Sequence, residues 1–348
     1  QIQFDRIQKA VYTEPKDAYL EGLEVVPHVV GVDLDVEKAK SIFEAAEDGD
    51  TVRIPLVITE PEMTSEKLAS MLFRDQLASY TSSLTSNEDR STNIELSANA
   101  CNDTVLLPGE QFSFNDVVGE RTREKGYKAA TAYAGGEIVQ EVGGGICQTS
   151  SSIYMCCLLA DLEIVYRTEH MYASSYVPLG MDATVSWGGP EFIFANNTEY
   201  PIKIKAWRHD GYLTVEIYGT KTDDSYVEMD YEVLEVLNYD VIYKEDSRVP
   251  AGEQWVDEGG ITGYRVQTYK YRYDGDGNLI ECVAEAYSEY DKCDEIILVP
   301  VGTLTLSPSP SPSEDPVVLP SAGLPETSEG EQSPELPGSD ENTIDVLR

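Results

Sequence analysis

Val142-Gly143-Gly144-Gly145-Ile146-Cys147-Gln148-Thr149-Ser150-Ser151-Ser152 sets three glycines directly before an isolated cysteine and a polar cluster. The cluster runs into Ile153-Tyr154-Met155-Cys156-Cys157-Leu158-Leu159-Ala160-Asp161-Leu162. There Ile153, Cys156, Leu159 and Leu162 recur at i, i+3 spacing, which predicts a helix with one apolar face. Gln148, Thr149 and Ser150 fall in its first turn, where hydroxyls can satisfy free backbone N–H groups. Cys147 then stands at a helix N-terminus, where the dipole favours thiolate over thiol. Gly143, Gly144 and Gly145 let a substrate approach the chain closely, and their N–H groups can face a developing oxyanion. This is the layout of a nucleophilic cysteine. A buried structural thiol after a tight turn carries the same local pattern, so the rest of the chain has to separate the two.

At 348 residues the chain has room for two or three domains with real cores. Its net charge of −38 excludes nucleic acid and an anionic membrane surface as partners, since both require clustered Lys and Arg. The three histidines, His28, His170 and His209, are scattered, and no CxxC or HExxH spacing occurs, so neither a metal nor another cofactor is expected. Six cysteines do not make a disulfide framework in a chain this long. Cys282 and Cys293 flank a strand–turn–strand reading and could pair, Cys156-Cys157 reads as core filler, and Cys101 reads as buried. No apolar run approaches the roughly 18 residues that span a bilayer. Gln1 is not an initiator methionine, so the chain reads as a mature or trimmed ectodomain, compatible with a native membrane anchor outside it.

Along the chain, residues 1–63 mix short β-branched runs, beginning with Phe4-Asp5-Arg6-Ile7, with a helix over Asp35–Ala46 and a strand over Thr51–Ile58. Residues 64–220 open with a helix capped at Thr64 or Ser65. A Ser/Thr/Asn-rich loop from Ser79 to Ser91 follows, then a second helix over Thr92–Cys101. Arg121, Arg123 and Lys125 concentrate positive charge shortly before the glycines; Arg121 could receive a substrate carboxylate or decorate a solvated turn. His170 is the histidine nearest in sequence to serve Cys147 as a base, and Asp182 could orient its ring or cap a turn. Strands follow near Phe192–Phe194 and Ile202–Trp207. Residues 221–304 are strand-rich, with Asp274-Gly275-Asp276-Gly277-Asn278 as a hairpin turn rather than a calcium loop. Residues 305–348 are Ser/Pro-rich and acidic and are expected to be disordered; Leu324-Pro325-Glu326-Thr327 within them reads as a coincidental match to a wall-sorting motif. The fold class is α+β and multi-domain. A mixed α/β catalytic-type domain, with a short helix after a Gly-rich loop, is flanked by a small α+β module and a β-rich module.

Several ordered blocks resemble the VanW domain family. They are Pro108-Gly109-Glu110-Gln111-Phe112-Ser113-Phe114-Asn115, Val118-Gly119-Glu120-Arg121-Thr122, Gly143-Gly144-Gly145-Ile146-Cys147-Gln148, Tyr176-Val177-Pro178, Gly180-Met181-Asp182-Ala183-Thr184-Val185 and Asn196-Asn197-Thr198-Glu199-Tyr200-Pro201-Ile202. Residues 1–63 resemble the peptidoglycan-binding module that often precedes such domains, and 221–304 resemble a G5 module. The resemblance implies an extracytoplasmic, Gram-positive cell-wall protein linked by family name to vancomycin resistance. It further implies a cysteine L,D-transpeptidase that forms 3-3 cross-links between peptidoglycan stem peptides. Cys147 would be its nucleophile and His170 its base, with Asp182 completing the catalytic set. Gly143, Gly144, Gly145, Gln148, Arg121 and Tyr176 would meet substrate, and the partners would be stem peptides and glycan. An L,D-carboxypeptidase and a non-catalytic wall-binding protein are the alternatives.

Overall fold

The strand Asp75–Ser83 takes the start of the expected Ser/Thr/Asn-rich loop, and the expected second helix begins earlier, at Glu88, and runs to Cys101. Ala78 and Ser82 are buried along this strand, and pairing with Tyr212–Gly219 supplies a ladder that a polar sequence does not advertise. Asn87 then starts the helix by accepting a hydrogen bond from the Arg90 N–H. These belong to a computed structural model that describes residues 4–49, 51–134 and 137–304. The expected low-complexity tail lies outside the described residues.

Asp75–Ser83, Tyr212–Gly219, Ile202–His209 and Val105–Leu106 form, in that order, a four-stranded antiparallel sheet. Alternation along the central pair buries Ile202, Ile204, Ala206, Leu213, Val215 and Ile217. Two helices, Glu88–Cys101 and Cys147–Leu159, pack against this sheet. Cys156 and Cys157 are core residues, and the Cys156 thiol donates to the Val215 carbonyl at 3.3 Å. The helix after the glycines is not amphipathic as its spacing suggested. From Gln148 to Leu158 every residue except Met155 is buried, polar first turns included.

A second small sheet joins Glu163–Tyr166, Ile193–Ala195 and Gln111–Ser113, with the Phe112 and Phe194 rings 5.1 Å apart. Between its first two strands, residues 167–192 contain no helix or strand.

C-terminal to this lies a three-stranded antiparallel sheet of Tyr226–Leu237, Gly263–Tyr273 and Leu279–Tyr290. In a further sheet Glu295–Val299 pairs parallel with Val241–Glu245 and antiparallel with Trp255–Glu258. Asp274 makes the expected hairpin turn by accepting from the N–H groups of Asp276 and Asn278. Cys282 and Cys293 do not pair, and all six cysteines are free. Cys282 lies opposite Tyr271 in mid-strand, whereas Cys293 bridges to Ile261 beyond the strand's end at Tyr290. Eight residues of extended strand separate Cys282 from Tyr290, about 26 Å at the usual rise.

The N-terminal segment holds the expected helix, Val36–Glu44, capped by Asp35. Its opening run is the helix Phe4–Val11 instead of an extended run, and its last strand shortens to Leu56–Thr59, paired with Gly31–Leu34. Among the described residues, no helix is long and apolar enough to cross a membrane.

Candidate active site

The hairpin Ala129–Ala134/Glu137–Val142 delivers the chain to the glycine loop. A Cβ on Gly144 would lie 2.4 Å from the Ala130 carbonyl oxygen, so backbone packs on backbone there. Gly145 combines φ +101° with a position where a Cβ would meet Arg90 Cγ at 2.5 Å. The buried Asn93 ties the loop down. Its Nδ2 donates to the carbonyls of Gly144 at 2.9 Å and Lys128 at 3.0 Å, and its Oδ1 accepts from the Lys128 N–H at 2.7 Å.

The polar run after Cys147 has partners at every position. Thr149 shares a 2.7 Å hydrogen bond with Ser97, and Ser152 meets Ser82 at 3.3 Å. Ser150 donates to the Ala183 carbonyl at 2.6 Å, while Ser151 accepts from the Ala183 N–H at 2.9 Å. The last two clamp the segment carrying Asp182 onto the helix. The first-turn hydroxyls of Thr149 and Ser150 do not cap it as the sequence suggested: among the described residues no side chain caps the helix start.

Cys147, His170 and Asp182 come together. The half-buried Cys147 thiol lies 3.4 Å from the Val185 carbonyl, to which it donates, and 3.8 Å from the Thr184 hydroxyl. It also shares a side-chain hydrogen bond with His170. Oδ2 of Asp182 accepts from His170 Nδ1 and, at 2.8 Å, from the His170 backbone N–H. This leaves Nε2 for Cys147 and for the Tyr176 hydroxyl, which lies 3.3 Å away. The His170 side chain is 20% exposed and that of Asp182 only 1%, so the carboxylate that anchors the ring is dry.

Burial pushes the Cys147 thiol up, but the hydrogen bond and charge of His170 outweigh it and hold the thiol below its ordinary value. Burial likewise works against a charged His170, yet Asp182 and Cys147 raise it to about 10. Burial opposes the Asp182 carboxylate too, and His170, Arg167 and Tyr290 nevertheless bring it down to about 2. All three shifts favour a thiolate–imidazolium pair resting on a carboxylate.

The remaining expected residues lie otherwise. Tyr176 faces both His170 and the Arg90 guanidinium, which sits 6.0 Å from its ring. Gln148 is turned into the fold: it is buried, accepts from Arg90 at 2.7 Å and donates to Ser82 and the Ser83 carbonyl at 2.9 Å. Arg121 is not on a solvated turn. It is 8% exposed, its guanidinium lies 5.6 Å from the Phe114 ring, and its three side-chain nitrogens have no hydrogen-bond acceptor among the described residues. The N–H groups of Gly143 and Gly144 are spent on the Lys128 and Glu141 carbonyls, at 3.0 Å each.

Arg167 and Tyr290 escaped the sequence reading. Arg167 donates to Asp182 Oδ1 at 2.9 Å and to the Asp182 carbonyl at 2.6 Å, and the Tyr290 hydroxyl donates to the same Oδ1. Tyr290 stands 108 positions from Asp182, and no local spacing points to it.

The class this chain represents is an α+β domain bearing a Cys–His–Asp constellation and followed by a β-rich module. The family model described as VanW like protein matches residues 89–218, and the G5 domain model matches 229–296. The uncharacterized protein YoaR of Bacillus subtilis (strain 168) is 40% identical over 225 residues, which are 63% of this chain and 74% of YoaR. The vancomycin B-type resistance protein VanW of Enterococcus faecalis (strain ATCC 700802 / V583) is 25% identical over 201 residues, 56% of this chain and 66% of that protein. The solved IgA1 protease G5 domain aligns over 23% of this chain and 95% of its own, at 11% identity and a TM-score of 0.16. The chain belongs to the VanW-like family, related to vancomycin resistance proteins, and carries a G5 domain.

Proposed function

We propose that the protein is a cysteine-dependent L,D-transpeptidase acting on peptidoglycan outside the cytoplasm. The observation that carries this reading is the Cys147–His170–Asp182 alignment, whose charges favour thiolate over thiol. The Cys147 thiolate attacks the carbonyl of the third residue of a tetrapeptide stem, forming a C–S bond and a tetrahedral oxyanion. The backbone N–H of Cys147 at the helix start would receive that oxyanion. Imidazolium His170 passes its proton to the departing nitrogen, the C–N bond breaks and D-alanine leaves. A side-chain amine from a second stem then attacks the thioester and gives its proton to neutral His170. The C–S bond breaks, and thiolate and imidazolium are restored.

Asp182 holds the ring in the tautomer this cycle needs. Tyr176 flanks the reacting face as a substrate contact, the glycines let the loop pack closely on Arg121, Ala130 and Arg90, and Gln148 acts by fixing Arg90 beneath Tyr176. Arg121 places positive charge within the fold, where burial lowers its pKa and Tyr127 and Cys147 offset only part of that cost. Residues 64–220 would form the reacting domain. Residues 1–63 and the G5 module at 221–304 would hold stem peptide and glycan.

The test incubates wild type and Cys147→Ala with disaccharide-tetrapeptide muropeptides and reads products by mass spectrometry. Cross-linked dimers that have lost D-alanine, from wild type only, are expected. Tripeptide monomers would replace the transferase with a carboxypeptidase. Unchanged substrate bound equally by both proteins would leave a wall-binding protein.

A further inference from the structure

The residues bearing His170 and Asp182 lie in 167–192, a stretch without helix or strand to hold its shape. Its geometry must come from what it packs against, and one face of it packs against the G5 domain. The hydroxyl of Tyr290, at the end of the strand Leu279–Tyr290, donates to Asp182 Oδ1 and accepts from the Gly180 N–H at 2.8 Å. The Ser288 hydroxyl accepts from Arg167 Nη1 at 2.9 Å, and Arg167 in turn donates to the Asp182 carboxylate and backbone. The Asp291 N–H donates to the Met171 carbonyl at 2.7 Å, one residue beyond His170. Gly180 lies so close that a Cβ there would meet Thr268 Cγ2 at 2.4 Å. Tyr290, Ser288 and Thr268 are each no more than 1% exposed, and both domains belong to one compact unit through Val301.

Resting on the reading above, we propose that the G5 domain is a structural part of the reaction centre, with Tyr290 and Ser288 as positioning residues that set the place of Asp182 and so the ring of His170. A module that only tethered the enzyme to glycan would have no use for a buried hydroxyl directed at the carboxylate of the other domain. The groups facing Asp182 are His170, Arg167, Tyr154, Tyr176 and Tyr290. Those facing Cys147 are His170, Tyr176, Arg90 and Arg121. Glu169 pairs with Arg167 at 3.5 Å from the far side. Among the described residues, Tyr290 is the one hydroxyl that reaches Asp182 from the second domain.

The experiment uses the full chain and measures the pH dependence of Cys147 alkylation by iodoacetamide, read by peptide mass spectrometry, in wild type, Tyr290→Phe and Ser288→Ala. Tyr287→Phe, altering an exposed ring on the same strand, is the control. In wild type the midpoint should lie below the ordinary thiol value of about 8.5. Tyr290→Phe should move it upward by about one pH unit, a roughly tenfold loss of alkylation rate at pH values below both midpoints. Ser288→Ala should move it in the same direction by less, and the control should not move it. With muropeptide substrate, kcat should fall and KM should hold, whereas a module that only binds glycan would change KM. A folded Tyr290→Phe or, should that variant not fold, a folded Ser288→Ala that titrates like wild type overturns the inference and leaves the Cys–His–Asp reading standing. A wild-type midpoint at the ordinary value removes that reading and the inference with it.

Discussion

Replacing Asp182 by Asn tests the centre of the site at a single position. The carboxylate is 1% exposed and receives donors on both oxygens: Arg167 and Tyr290 on Oδ1, the His170 ring and backbone N–H on Oδ2. An amide keeps the shape but must direct its NH2 at one of these pairs. Facing His170 it meets a backbone N–H that cannot accept. Facing the other side it meets the Arg167 guanidinium and a Tyr290 hydroxyl already accepting from Gly180. Either way a donor opposes a donor, and Arg167, 7% exposed, loses its carboxylate. Removing one partner of a buried ion pair costs about 3–5 kcal/mol, and Asp182→Asn is expected to lose that much in urea unfolding at pH 7, followed by circular dichroism. The pH dependence carries its own sign. Asp182 sits at about 2 in the fold against an ordinary 3.8, so its contribution is complete above that ordinary value and disappears as pH falls toward 2. That shift corresponds to about 2 kcal/mol, and the gap between wild type and variant should narrow by about this much between pH 7 and pH 2. His170, raised to about 10, acts oppositely: its contribution is complete below about 6.5 and disappears as pH rises through 10. A loss under about 1 kcal/mol at pH 7, or a gap that does not change with acid, would refute this account of the site.

Two further substitutions probe what surrounds the thiol. Gly144→Ala should destabilise the chain by about 1–3 kcal/mol in the same unfolding assay, because its Cβ would press on the Ala130 carbonyl, while Gly259→Ala, with nothing within 4 Å, should be close to neutral. Equal effects of the two would mean that the hairpin yields and the close approach is unimportant. Arg121→Met should leave the melting temperature unchanged or raised, since a buried guanidinium without an acceptor is replaced by an apolar chain. It should also slow Cys147 alkylation at pH 7. A fall of several degrees in melting temperature would show that the guanidinium contributes stability after all.

The nucleophile's setting could be read locally because its requirements are local. A glycine run, a cysteine and a helix start are adjacent in sequence, and backbone freedom and helix polarity act over a few residues. The pairing of Cys147 with His170 and Asp182 was reachable because few histidines compete and the VanW-like blocks order the chain. The first-turn residues Gln148, Thr149 and Ser150 read as caps, since polar side chains look alike in sequence whether they face the helix's own N–H groups or Ser82, Ser97 and Ala183. The strand at Asp75–Ser83 was missed for a related reason: its ladder partner lies well over a hundred residues on, at Tyr212–Gly219.

By itself the sequence determined the glycine loop, the helix that follows it and the β-rich C-terminal module, all products of short-range backbone preference and alternation. Only the tertiary structure decided that Gln148 and Arg121 lie inside the fold, that Cys282 and Cys293 stay apart, and that Tyr290 reaches Asp182. These depend on burial and on contacts between distant segments, where the favourable partner is set by the packing of the whole chain and leaves no period or spacing for a local reading to find.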